Sequence, residues 1–190
     1  MAAREQQLIN EPERIRALSH PLRLLLLDIL GERGELTATQ CAELTGESVA
    51  SCSFHLRMLE KYGLIERAEQ RGREKPWRRT SGGLVTEADP EFPETVLAST
   101  ELAVQTVTHR AEAFRRVASR MDDESKDWLD ATQVSNVGFW ATVEEVSALG
   151  AEITEIITRF QDRRAPERRP EGARFIHALS LIYAEPNARP

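Results

Sequence analysis

Apolar positions change their spacing several times along the 190 residues, and each change marks an element. From Pro21 to Arg33 they are almost continuous: Leu22, Leu24, Leu25, Leu26, Leu27, Ile29 and Leu30. Such a run predicts a helix at the centre of a small domain, opened by Pro at its first position and closed around Gly31 and Gly34. A short helix over Glu11–Leu18 precedes it, behind ten residues expected to fray. Thr37–Leu44 and Ser48–Tyr62 read as two more helices around a Thr45-Gly46-Glu47 corner, where Gly supplies positive φ and Ser48 a cap. In the second, Cys52, Leu56 and Leu59 repeat at i, i+4, i+7, one inward stripe. Leu64–Ala68 and Pro76–Thr80 then alternate as a hairpin around Gln70-Arg71-Gly72-Arg73.

Ser81-Gly82-Gly83 and the Pro90/Pro93 stretch suggest a boundary, giving domains 1–85 and 86–190. A helix over Glu94–Met121 follows, with a broad seam that includes Val96, Leu97, Val104, Val107 and Phe114. At about 40 Å it outruns a domain of this size, which suggests packing against its own copy. Trp128–Ala141 and Ala173–Tyr183, rich in β-branched and aromatic residues, read as strands. Between them Thr142-x-x-Glu145 reads as a capping box opening a helix to about Arg164, and charged Asp162–Gly172 reads as a solvated loop. The expected class is therefore mainly α with small β: a winged helix-turn-helix DNA-binding domain, then a C-terminal α+β domain with a long dimerisation helix.

Charge refines this picture. The chain carries net charge −6, which alone argues against nucleic acid. Residues 1–85, however, hold 13 Lys+Arg against 12 Asp+Glu, while residues 86–190 hold 12 against 19. Arg57–Arg79 alone holds 8 basic and 4 acidic residues. An acidic body distant from a basic face still permits anion binding, because salt screens charges beyond about 8–10 Å.

The helix, helix, helix-turn-helix, hairpin order is the winged helix-turn-helix plan, whose second helix fits the DNA major groove. Opposite the Cys52–Leu56–Leu59 stripe lie Ala50, Ser51, Phe54 and Arg57, with Ser48 at the start and His55 on the flank. Ser51 can donate or accept, Ala50 and Phe54 can meet thymine methyls, and Arg57 can reach phosphate or guanine. Arg71, Arg73 and Lys75 at the hairpin tip, with Arg78 and Arg79 behind them, suit phosphate or minor-groove contact.

Ala42-x-x-x-Gly46, then Ser48–Leu59 (Ser-Val-Ala-Ser-Cys-Ser-Phe-His-Leu-Arg-Met-Leu), then Glu60-Lys61-Tyr62-Gly63-Leu64-Ile65 resemble the DNA-binding region of ArsR-type bacterial repressors. Upstream, Ala17-Leu18-Ser19-His20-Pro21-Leu22-Arg23 resembles that family's opening helices, and the resemblance covers residues 12–85. It implies a dimeric winged-helix regulator released from DNA by a bound metal or small molecule. The metal-sensing members' ligand cysteines match Thr37 and Thr39 here, so that metal site is expected to be absent. Cys41 and Cys52 match apolar core positions, and Phe54 stands where the family usually has a polar or basic residue. The acidic extension is similar in pattern to that of actinobacterial ArsR-like proteins.

The expected function is a sequence-specific transcription regulator, a homodimeric repressor on double-stranded inverted-repeat DNA. Its signal would be non-metal, and no cofactor is expected. Trp128, Phe139, Trp140, Phe175 and His177 are the candidates for a small-molecule effector pocket; a region that only dimerises is the alternative there. A winged-helix protein-interaction module is the alternative for the front half. Four histidines without metal-like spacing, and no phosphate loop, nucleophile elbow or catalytic triad, argue against metal binding and an enzyme. With only Trp77 in the basic hairpin, single-stranded RNA lacks stacking platforms. No run approaches the ~20 apolar residues of a membrane helix, and the polar start and two cysteines fit a cytoplasmic location.

Overall fold

The computed structural model describes residues 7–9, 11–69, 75–80, 84–86, 91–164 and 166–185. They form two compact units, Met1–Glu112 and Ala113–Pro190. The first is a mainly helical winged helix with small β elements.

Its order is β1 (Gln7–Ile9), α1 (Pro12–Leu18), α2 (Pro21–Arg33), α3 (Ala38–Thr45), α4 (Val49–Lys61), β2 (Ile65–Arg67), β3 (Trp77–Arg79) and β4 (Leu84–Thr86). The final element, α5 (Pro93–Ala118), continues across the boundary. The leucine-rich α2 sits centrally as its sequence requires: Leu22, Leu24, Leu26, Leu27 and Leu30 are buried. Around it pack Ile15 and Leu18 of α1, Cys41 of α3, and Cys52, Leu56 and Leu59 of α4. At roughly 1.5–3 kcal/mol for each large aliphatic side chain buried, this cluster is the main stabilising term of the unit.

Each helix end has a local cause. His20 Nδ1 accepts from Leu22 N–H at 3.2 Å, capping α2 ahead of Pro21. Thr37 and Gln40 form a reciprocal capping box on α3, and Gly46 ends that helix in the left-handed region at φ 76°. The Arg14 guanidinium donates to Tyr62 O at 3.2 Å, satisfying a carbonyl at the end of α4. β2 and β3 pair antiparallel, with Glu66 opposite Arg78. Leu36 joins as a third rung, exchanging both backbone hydrogen bonds with Trp77 at 3.0 and 2.8 Å. The wing is thereby fastened to the segment that leads into α3.

One expectation for this unit needs correction. Residues 7–9, expected to fray, instead form β1, parallel to β4 in the register Leu8↔Val85. Parallel neighbours need a long crossover, and here nearly the whole winged helix supplies it. The first compact unit runs on to Glu112, inside α5. Thr95, Ala98, Leu102 and His109 hold the first part of the long helix in the front unit by burial.

The second unit holds the end of α5, a 3-10 turn at Met121–Asp123, α6 (Lys126–Ala131), α7 (Val143–Thr158) and further 3-10 turns at Gln161–Arg164 and Pro166–Arg168. Thr142 and Glu145 form the expected capping box. The strands expected over 128–141 and 173–183 are not formed. Trp128 and Leu129 lie in α6, and 132–142 and 173–185 run without helix or strand. Ser125 stands at the N-cap position, Asp127 lies in the first turn, and Lys126 meets Asp130 one turn on; these local helix signals outweigh the β-branched composition. A strand also needs a ladder, and neither segment has a partner strand among the described residues of this unit.

Candidate nucleic-acid interface

The candidate site begins with the phase of α4. Cys52, Leu56 and Leu59 are fully buried, which fixes how the helix is rotated. Half a turn away Ala50, Phe54 and Arg57 are exposed, and Phe54 keeps 58% of its surface accessible. Ser51 is half-buried beside them, and Ser48 is exposed. The Ser48 hydroxyl accepts from Ser51 N–H at 3.1 Å, so it is engaged as the cap of α4. Lys61, which the sequence reading passed over, is exposed on the same face at the far end; its spacing of i+4 from Arg57 is the signal that identifies it. These residues form a polar and aromatic ridge on a helix anchored from behind.

His55 flanks the ridge and is only half exposed. Its ring packs against His20 at a tilt of 39°, 4.3 Å between centroids, and Phe54 meets it edge-on at 5.2 Å. His55 Nδ1 is buried without a hydrogen-bond partner. Burial holds both imidazole pKa values below the ordinary range; Arg23 adds to this for both, and His20 for His55, while Glu47 opposes it. The pair therefore favours the neutral form.

On the wing the basic residues divide. Arg67 lies over the Trp77 ring at 3.3 Å, donates to Lys75 O at 2.8 Å and faces Glu60 at 3.4 Å. Arg78 meets Glu66 at 2.9 Å and Glu35 at 3.6 Å. Those two arginines brace the hairpin and have their charge locally compensated. Lys75 is exposed. Arg71 and Arg73 lie outside the described residues.

Both cysteines are free and buried. Burial, with Cys52 close by, pushes the Cys41 thiol up to about 12, which disfavours the thiolate that metal binding or redox chemistry needs. Among the described residues no group of three His, Cys, Asp or Glu side chains is placed to hold a metal ion. None of their helices is long and apolar enough to cross a membrane.

A cluster that the sequence reading missed ties α5 to α2. His109 Nε2 lies 2.7 Å from Asp28 Oδ2, and Arg110 meets the other oxygen of the same carboxylate. Asp28 is the single acid within the leucine run, and that isolation was its only signal in the sequence.

The expected effector residues in the second unit come together only in part. Phe175 and His177 meet edge-on at 5.1 Å, and Arg174 lies over Trp128 at 4.6 Å while bonding Glu124 at 2.6 Å. Phe139 is exposed, and Trp140 is 100% accessible.

The fold and the exposed α4 define a helix-turn-helix domain. In agreement, the family profile described as "Helix-turn-helix domain" matches residues 18–68. Among solved structures, MepR, a transcription regulator of the Staphylococcus aureus multidrug efflux pump MepA, is similar at 15% identity and a TM-score of 0.29. The match covers 76% of this chain and 78% of that one. No curated protein matches.

Proposed function

We propose that the chain is a sequence-specific DNA-binding transcription regulator of ArsR type, acting as a homodimeric repressor under a non-metal signal. The observation that carries this reading is the rotation of α4: its oily stripe is locked inward, and Ala50, Phe54 and Arg57 stand outward together. A helix so presented fits the major groove, where Ser51 and Arg57 can meet polar base edges or phosphate and Ala50 and Phe54 thymine methyls. His55 flanks that contact, and Ser48 fixes the start of the helix. Lys75, with Arg71 and Arg73, would reach phosphates beside the groove. Two copies on an inverted repeat would place their α4 helices about 34 Å apart.

The regulatory signal would enter through the second unit and reach the reading head along α5, which Asp28 ties to α2 through His109 and Arg110. Thr37 and Thr39 offer no thiolates, which favours a non-metal signal.

The test is footprinting on DNA selected from random sequence, followed by titration of the same site with variants. Ser51→Ala and Phe54→Ala should change operator choice with little change in non-specific affinity, by about 1–3 kcal/mol at the affected base pairs. Unchanged sequence preference in both would move base reading to another face. Absence of any selected sequence would favour the protein-interaction module instead.

A further inference from the structure

The outward ridge of α4 changes character along its length. At about 100° per residue, Ala50, Phe54, Arg57 and Lys61 fall within about 60° of one another. All four are exposed. The half nearer the N-terminus is apolar, with Val49 exposed beside Ala50 and Phe54. The half nearer the C-terminus carries the two cations. In a helix-turn-helix pair the N-terminal residues of the second helix meet base edges. On the proposed reading, the apolar half therefore faces the bases, and Arg57 and Lys61 lie toward phosphate.

In the major groove the groups on the base edges are hydrogen-bond donors and acceptors, with one apolar exception: the methyl on C5 of thymine. Phe54 is braced to meet it. His55 supports its ring edge-on, at 5.2 Å and 83° between planes. His20, whose Nδ1 caps α2, packs against His55 in turn at 4.3 Å. A ring held outward before binding loses little freedom on contact.

What surrounds Phe54 decides how much else is read. Thymine and 5-methylcytosine share the C5 methyl and differ at C4, an acceptor oxygen in one and a donor amino group in the other. From Ser48 to Phe54 the chain has no amide or charged side chain to tell these apart. It offers hydroxyls: Ser51, half-buried beside Ala50 and Phe54, can turn to donate or accept. Cytosine lacks the methyl and leaves Phe54 without its contact.

From this arrangement we infer that Phe54, with Ala50, reads the C5 methyl of pyrimidines, taking thymine and 5-methylcytosine alike and disfavouring unmethylated cytosine. The inference rests on the DNA-binding reading and adds what the reading head recognises. Methylating a cytosine at that position of a site tightens binding.

Titration of the full chain on the DNA selected from random sequence tests it, with single groups changed in the DNA. Deoxyuridine in place of each thymine in turn removes only a methyl, and at one or two positions in each half-site should weaken binding about threefold to tenfold. At those positions 5-methylcytosine opposite guanine should bind about threefold to tenfold tighter than cytosine opposite guanine. Phe54→Ala should lose both preferences. Phe54→Leu, which keeps an apolar tip, should retain part of them. Phe54 is exposed, so both variants should melt with wild type. Equal binding of thymine and deoxyuridine at every position, equal binding of methylated and unmethylated cytosine, or a preference that survives Phe54→Ala would each overturn the inference. Any of these on a selected site refutes methyl reading alone. A chain that selects no sequence loses the regulator reading and methyl reading together.

Discussion

Residues 11–112 and residues 113–185 draw on a similar supply of aliphatic and aromatic side chains but dispose of them in opposite ways. The first stretch packs Ile15, Leu18, Leu26, Leu30, Leu56 and Leu59 at 1% exposure or less. In the second no described residue is buried. Phe139, Trp140, Val143, Phe160, Phe175 and Tyr183 are all exposed there. Apolar side chains of the second stretch are thus left largely uncovered. An apolar pattern in sequence says that a face will be covered; among the described residues the covering element is found in the front unit only.

Core truncation should separate the two regions most sharply. Leu56→Ala removes a fully buried side chain beside Cys52 and α2, and should cost about 2–5 kcal/mol by denaturant melting. Trp140→Ala removes a larger side chain that touches little, and in dilute protein should change stability by no more than about 0.5 kcal/mol. A Trp140 cost as large as that of Leu56 would mean that the second unit acquires a core in solution, and that the contrast belongs to the single chain only.

The same contrast explains what was legible beforehand. α2 was readable residue for residue because Pro21, the leucine run and Gly34 all speak within one helix. The rotation of α4 followed from Cys52, Leu56 and Leu59 alone, and with it the outward placement of Ala50, Phe54 and Arg57. Long-range partners were not legible. Nothing near Gln7–Ile9 announces a ladder with Leu84–Thr86, and nothing near Asp28 announces His109 and Arg110 some eighty residues later. Nor could the bracing of Arg67 and Arg78 by Glu60, Glu66 and Glu35 be read from a count of basic residues. In the second unit, composition suggested strands where short-range capping and i,i+4 pairing set α6.

The Asp28 cluster sharpens the comparison at the boundary. Asp28→Asn keeps the shape and removes the charge that faces His109 and Arg110. Loss of these charge-assisted bonds should cost about 1–3 kcal/mol. Hydrogen exchange should show the first part of α5 opening more readily while α4 keeps its protection. Equal loss of protection in both helices would mean that α5 is integral to the core and is not fastened onto it at this point.

pH and salt should divide the two regions by a smaller margin. In the front unit the His20 and His55 rings pack against each other, near Arg23 from α2 and Glu47 from the turn before α4. Burial lowers both pKa values, so the unfolded chain takes up protons near pH 6.5 before the folded chain does. Stability from this pair is therefore complete above pH 6.5 and declines as pH falls below it toward the folded values. His55→Gln should remove part of that acid sensitivity, since it deletes one titrating ring and relieves the other. In the second unit, the hydrogen bond from Arg174 holds the Glu124 carboxyl below its usual range, but on an exposed surface that salt screens. Urea midpoints measured between pH 7.5 and 5 should thus fall for wild type at both low and high salt, and fall less for His55→Gln. Glu124, its carboxyl held below the usual range, keeps its charge throughout this window, so an acid loss that vanishes in high salt would place its origin in other screened surface charges and away from the His20–His55 pair.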